Sequence, residues 1–254
     1  MEGLFHLHSD YSNDGKLSLE QLREESVGRK MSFIVVTDHA EDFDSEKVRR
    51  YLAHCRRLTD RDFIVVPGLE FNVDRKREVH ILVIGSEALF SVEGPKDIME
   101  KVVARESGAL VVLAHPSRNG HYLPPYWESR ISGMEIWNAA YDSRYLPDHR
   151  AINLFHHLTK RNRRLVGFGG LDLHDKSGFR ELILSMDQPC GTEAELLLHL
   201  RMGRFRIRGP FTGIDSVPDW GFVKMAFLHL GRKVLTAADY MKWQLVSSKT
   251  IGQM

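Results

Sequence analysis

Met31-Ser32-Phe33-Ile34-Val35-Val36-Thr37-Asp38-His39 is the stretch from which the fold reads most directly. Phe33 to Val36 is a short, β-branched apolar run, the pattern of a strand covered on both faces. It stops at a polar Thr-Asp-His triplet, which places a histidine just past a strand end. Upstream, Phe5-His6-Leu7-His8-Ser9 reads as an earlier strand. His6 and His8 are two residues apart, so on an extended chain both imidazoles point to one side. Two neutral imidazoles converging on a point suit a metal ion, although a solvated strand face would look the same in isolation. Ser9 to Gly15 is a polar, turn-rich loop, and Ser18-Leu19-Glu20-Gln21 is a helix start with Ser18 as N-cap and Gln21 three residues on. Leu19, Leu22 and Ser26 would line the buried side of that helix.

The same arrangement continues downstream. Residues 44–60 read as a helix, with Val48, Tyr51, Leu52 and Cys55 at helical spacing. Phe63 to Val66 is a buried strand ending at Pro67-Gly68-Leu69-Glu70-Phe71, and Val79 to Gly85 is another, with His80 near its start. Pro95 to Ser107 reads as a helix, and Ala109 to Ala114 as a strand that stops at His115-Pro116. After an irregular loop from Gly120 to Tyr126, Gly133 to Asn138 makes a sixth strand and Pro147 to Arg161 a helix. Leu165 to Leu171 is the seventh strand, leading into Asp172-Leu173-His174-Asp175. A strand at 180–185, a helix at 192–202, a strand at 204–208 and helices near 219–230 and 236–248 complete the reading. Strands alternating with helices predict an α/β fold, a parallel sheet with helices packed outside. Seven or so units favour a closed barrel, and barrels build their sites at the C-terminal strand ends. His39, Glu70, His115, Asp172 and His174 all fall there. The barrel is expected to occupy residues 1–210, with 211–254 a helical extension packed on it.

Lys and Arg total 35 against 34 Asp and Glu, a formal charge of +1, so the chain as a whole does not advertise a nucleic-acid or anionic-membrane partner. Cys55 and Cys190 match no zinc spacing and read as two reduced thiols. No basic-then-apolar leader opens the sequence, and no apolar run approaches the roughly 18 residues of a bilayer span. A cytoplasmic protein is the expectation.

Taken together, His6-Leu7-His8-Ser9, Asp14-Gly15, Thr37-Asp38-His39, Gly68-Leu69-Glu70, His80, Ala114-His115-Pro116 and Asp172-Leu173-His174 resemble the polymerase and histidinol phosphatase (PHP) family of metal-dependent phosphoesterases. The resemblance spans roughly residues 4–175. It implies a distorted seven-stranded barrel holding three metal ions. By the same resemblance His6, His8, Glu70 and Asp172 would bind the first ion, and Glu70, His80 and His115 the second, with Glu70 bridging. Asp14, His39 and His174 would bind the third, at a position where family members vary between His and Asp for Asp14. Six imidazoles and three carboxylates without a thiolate suit Zn²⁺, Mn²⁺ or Fe²⁺ and do not choose among them. Such a site lowers the pKa of a bound water to make hydroxide and neutralises charge on phosphoryl oxygens. No protein nucleophile is then required, and Glu70, His115 and Asp172 stand at the catalytic centre.

Arg118 and Arg144 lie on loops expected to face the site, where a guanidinium takes phosphate bidentately; the plainer reading is an exposed loop arginine. Asn138, closing the sixth strand, is a candidate to orient water or substrate. His121, Tyr122, Tyr126 and Trp127 either wall a base or sugar or pack on their own loop. The runs Arg161, Arg163, Arg164 and Arg204, Arg206, Arg208 read as solvated faces. Asp38 and Asp175 neighbour ligand histidines and are candidates to support them. The activity expected is hydrolysis of a small phosphomonoester, histidinol-phosphate-like or a nucleotide. Two rivals are an exonuclease or phosphodiesterase on nucleic-acid ends, which near-neutral charge disfavours, and a catalytically silent metal-binding regulatory module.

Overall fold

A computed structural model describes residues 1–85, 95–104, 108–219, 221 and 224–234. In chain order the elements are β1 (Glu2–Leu7), α1 (Leu19–Gly28), β2 (Phe33–His39), α2 (Ser45–Leu58), β3 (Ile64–Asp74) and β4 (Val79–Ile84). They continue with α3 (Pro95–Ala104), β5 (Leu110–Leu113), β6 (Gly133–Asn138), α4 (His149–Thr159), β7 (Val166–Gly170), β8 (Ile183–Ser185), α5 (Glu193–Arg201), β9 (Arg206–Arg208) and β10 (Gly213–Asp215). A further helix, α6, covers 224–234. The sequence-predicted helix at 236–248 and the end of the one at 95–107 lie outside the described residues. No described helix is long and apolar enough to cross a membrane.

The helices form where local signals place them. Ser18 and Gln21 make both bonds of a capping box at the start of α1, and Leu19, Leu22 and Ser26 are its buried residues. Asp44 caps α2, whose buried face is Val48, Tyr51, Leu52 and Cys55. Tyr51 donates its hydroxyl to the carbonyls of Val36 (3.1 Å) and Gly68 (3.3 Å), fixing the helix against the sheet while satisfying a buried polar group.

The strands run in the order β10-β9-β8-β1-β2-β3-β4-β5-β6-β7. The chain leaving β7 then returns to β1: Leu171 N donates to Phe5 O (2.9 Å), and His8 N donates to Leu173 O (2.8 Å). These bonds close β1–β7 into a barrel. The edge of β1 away from β2 is thus divided, since its first residues pair with β8 at Glu2↔Ser185 and Gly3↔Leu184. Phe5 stacks on Phe168 at 4.8 Å, and Phe205 meets Phe168 at 5.1 Å, filling the interior.

The expectation of a uniformly parallel sheet needs correction. β4 is antiparallel to both β3 and β5, and β8–β10 are antiparallel as well. A parallel crossover needs about a dozen residues, and only 75–78 separate β3 from β4, so a hairpin is forced. Its consequence for the site is direct: the start of β4, where His80 sits, lies at the rim where the other strands end. β3 also runs through Pro67 rather than stopping there. Pro67 sits at the end of the β4 ladder, which begins at Gly68↔Ile84, and its carbonyl accepts from Gly85 N (2.9 Å) there, a position where a missing N–H is tolerated. The sheet likewise continues past residue 210, because β10 pairs with β9 and Ser216 O accepts from Gly167 N (2.6 Å). In β9, Ile207 is buried between exposed Arg206 and Arg208, the alternation of a half-exposed strand.

Candidate metal centre

Glu70 sits where β3 faces two neighbours. Across β2 it pairs with His39, and the adjacent strand brings His80 opposite Asn72. Its Oε1 accepts from His80 Nδ1 (2.7 Å) and His115 Nε2 (3.0 Å). Its Oε2 lies 3.3 Å from His8 Nε2, 3.4 Å from His39 Nδ1 and 3.5 Å from His6 Nε2. One buried carboxylate is therefore shared among five imidazoles, its oxygens turned to different sets, as a bridging carboxylate requires. Asp172 Oδ1 lies 3.2 Å from both His6 Nε2 and His8 Nε2. Asp14 Oδ2 lies 3.1 Å from His39 Nε2 and 3.0 Å from His174 Nε2. The nine sequence-predicted ligands are thus brought into one cluster. Eight of them form two close sets, His6, Glu70, His115, Asp172 and His8, Asp14, His39, His174, with donor atoms within 4.8 Å inside each, and His80 joins through Glu70 Oε1 at 2.7 Å. This division separates His6 from His8, which the resemblance groups together.

The donor set fits metal ions on two grounds. His6 Nε2, both ring nitrogens of His8, Glu70 Oε2, His80 Nε2 and His115 Nδ1 are buried without a hydrogen-bond partner among the described residues. Such orphans are rare unless a function needs them. Electrostatics point the same way. Burial alone would lower His8, yet the carboxylates of Asp172 and Glu70 beside it, 3.2 and 3.3 Å from Nε2, raise it to about 9. Burial likewise opposes the rise of His6, which Glu135, Asp172 and Glu70 carry well above the ordinary range. Burial would push Glu70 and Asp172 up, but His6 and the neighbouring imidazoles hold both below the usual carboxylate range. Buried carboxylates here call for compensating positive charge, which divalent ions held by the same residues would supply.

The backbone is bent to aim these groups. His6 (φ 64°), His115 (φ 25°) and Asp172 (φ 50°) occupy the left-handed region, which non-glycine residues rarely adopt. The β1 ladder shifts register between Phe5 and Leu7, around His6. Strain of this kind concentrates at functional sites. Gly15 allows the loop after β1 to fold tightly, since a Cβ there would lie 1.9 Å from Ser9 O.

Asp38 does not bond a ligand imidazole. It accepts from Ser9 N and Oγ (2.7 Å each) and from Ser12 Oγ (2.9 Å), and Ser12 Oγ accepts from His39 N (2.7 Å). It therefore ties the β1 loop to the backbone of His39, and burial pushes it up to about 6. Asp175 caps the short turn at 176–178 through Ser177 and lies 3.5 Å from Lys16.

Glu135 is the residue that the sequence reading overlooks. Its Oε1 accepts from His6 Nδ1 (2.8 Å), and its Oε2 accepts from His115 N (2.6 Å) and Asn138 Nδ2 (2.8 Å). It fixes the tautomer and ring orientation of His6 from behind. Its signal was a lone carboxylate inside the apolar run Gly133-Met134-Glu135-Ile136-Trp137. Gly170 accommodates it: a Cβ there would meet Glu135 Oε1 at 1.8 Å.

The chain matches the PHP domain over residues 5–162, more than half its length. It belongs to the PHP domain family. Two solved structures are similar to it. One is a protein from Bifidobacterium adolescentis, provisionally described as a metal-dependent phosphoesterase, at 16% identity and TM-score 0.48, with 68% of this chain and 88% of that one covered. The other is an amidohydrolase from Chromobacterium violaceum with bound sulfate and no metal, at 16% identity and TM-score 0.46, covering 82% and 98%. Neither likeness is strong enough to decide the chemistry. Among curated proteins, none matches the chain. Family membership and donor set together support a metal-dependent hydrolase.

Of the three substrate-side candidates, this PHP domain places only Arg118 on the cleft. Arg118 donates through Nε to Glu78 (2.8 Å) and through Nη1 to the Tyr141 hydroxyl (2.9 Å), while the Tyr141 ring lies 5.0 Å from His115. Asn138 is buried and faces inward: besides Glu135 it caps the following turn, accepting from Ala140 N and Tyr141 N. Its expected role on substrate is replaced by a bracing one, because the strand end turns it toward the barrel. Arg144 is exposed, lies 5.6 Å from the Tyr145 ring and does not line the cleft. The aromatic loop packs on itself: Trp127 is buried, Arg130 covers Tyr126 at 3.6 Å and Arg77 covers Tyr122 at 4.0 Å. His121 faces Asp148 at 3.5 Å.

Proposed function

We propose that this PHP domain is a phosphoesterase that hydrolyses a small phosphomonoester, histidinol-phosphate-like or a nucleotide, with three divalent ions (Zn, Mn or Fe) on His6, His8, Asp14, His39, Glu70, His80, His115, Asp172 and His174. The observation that carries the reading is Glu70, buried and shared among five imidazoles at the floor of an open cleft. Divalent ions held there would acidify water and neutralise charge on phosphoryl oxygens. The chain's own contributions are distinct. Glu70 and Asp172 supply the fixed negative charge, Glu135 orients His6, and Arg118 presents a guanidinium that exchanges Glu78 for a phosphate oxygen. A cleft of about 450 Å³ matches a small substrate.

The cleft mouth favours a small ester over a nucleic-acid end. Glu41, Asp42 and Glu78 line it, and Arg118 is its one Lys or Arg side chain among the described residues. A polyanion gains little from such a rim. The testing experiment compares p-nitrophenyl phosphate, its bis-ester and a short oligonucleotide after loading with Mn²⁺, Zn²⁺ or Fe²⁺, in wild type and His115→Ala. Monoester turnover that a chelator removes and metal restores supports the proposal. Faster cleavage of the diester or oligonucleotide favours the nuclease, and bound metal without turnover of any ester favours the silent module.

A further inference from the structure

A second cavity, of about 580 Å³, opens beside the beginning of β1, at the other end of that strand from His6. Guanidinium groups from three separate segments converge on it: Arg29 after α1, Arg180 before β8 and Arg208 at the end of β9. Leu4, Met31, Ile183 and Phe179 supply apolar surface on its walls. Two of the arginines are already neutralised. Arg208 donates to Glu2 (2.5 Å), and Arg29 donates to Glu25 (2.6 Å) while its guanidinium lies 4.1 Å from the Phe179 ring centre. Arg180 is different: it donates only to the carbonyls of Ser177 and Phe179, and no carboxylate pairs with it among the described residues. Glu181, also on the wall, is exposed to solvent.

With Arg208 on Glu2 and Arg29 on Glu25, Arg180 is the guanidinium on this wall whose charge no carboxylate balances among the described residues. An unpaired guanidinium fork recognises a carboxylate, sulfonate or phosphate geometrically, not merely by charge. The apolar walls would be wasted on an inorganic ion, and the volume falls in the range of small-molecule sites. We propose that this cavity binds a small organic anion, one acidic group on a flat apolar body, with Arg180 as its charge partner and Phe179 and Met31 against its body. The site is independent of the metal cluster, although Arg180 lies on the same segment as His174.

The test uses the full chain and the aromatic sulfonate 8-anilinonaphthalene-1-sulfonate, read by fluorescence, with benzoate, phenyl phosphate and inorganic phosphate as competitors. The expected result is saturable binding of one dye per chain, weakened at least tenfold in Arg180→Ala and in the cavity-filling Met31→Trp. Arg180→Lys should retain part of the affinity, and His115→Ala should bind as wild type does. Benzoate or phenyl phosphate should displace the dye, and whichever competes at lower concentration identifies the acidic group. Unchanged melting temperatures in the variants separate lost binding from lost folding. Unsaturable binding, affinity indifferent to Arg180 and Met31, loss in His115→Ala, or displacement by inorganic phosphate as effectively as by benzoate or phenyl phosphate would each overturn the proposal.

Discussion

The two walls of the metal cleft are held in different ways. On the ligand wall, nearly every donor stands on a strand end or on the turn directly after one, and ladder register fixes its place. His39 faces Glu70 across β2 and β3, and His80 stands opposite Asn72 across β3 and β4. On the other wall Arg118 and Tyr141 stand on loops and are held by Glu78 and by each other. The floor of the ligand wall (His6, His8, Glu70, His115 and Asp172) is buried and short of partners, whereas the loop wall satisfies its own hydrogen bonds. A buried, unsatisfied wall demands an ion; a satisfied, exposed one waits for a substrate and yields to it.

Glu70→Gln should break the difference most severely. Removing the charge that five imidazoles share should abolish metal retention and lower esterase kcat/KM by about a thousandfold or more, since metal-borne charge stabilisation is worth several kcal/mol. Metal analysis beside a p-nitrophenyl phosphate assay checks both. Glu135→Gln tests whether the ligand wall needs its support from behind: metal affinity should fall about 10- to 100-fold, measured by competition with a chelator, with the fold retained by circular dichroism. On the loop wall, Arg118→Ala should leave metal content unchanged and raise KM about 10- to 100-fold, the worth of a charged hydrogen bond at 1.5–3 kcal/mol. Arg144→Ala should change neither parameter by more than about twofold, as expected of an exposed side chain away from the cleft.

A smaller effect sharpens the comparison through pH. Asp142 braces the loop wall, accepting from Asn138 N (2.8 Å) and from Ser117 Oγ, and burial pushes its carboxyl up to about 6. The folded state then holds this proton more tightly than the unfolded chain. Its contribution to stability is full below the ordinary carboxylate pKa and is lost as pH rises through 6. Thermal melts from pH 4 to pH 7 should show wild type losing stability relative to Asp142→Asn over that interval. A gap constant with pH would show that Asp142 ionises normally.

How much of this was legible in the sequence follows the same division. The barrel and its strand-end histidines were readable because apolar runs and the polar triplets that stop them are local signals. Even His80, misplaced in a parallel reading, is explained once the four-residue link to β4 forces a hairpin. Asn138 and Arg144 were not readable, because no periodicity fixes which way a loop side chain turns. Glu135 was readable in principle as a carboxylate inside an apolar strand, but its partners are 129 and 20 residues away in sequence. The left-handed backbone at His6, His115 and Asp172 leaves no trace in residue type at all.

The most direct test of the central claim, that Glu70 organises a metal cluster, is the divalent-ion content of the purified chain after loading and desalting, wild type beside Glu70→Gln. About three ions per wild-type chain are expected, as proposed, with a near-complete loss in the variant. A wild-type chain that retains no ion under any loading condition, or a variant that retains as many, would contradict the claim.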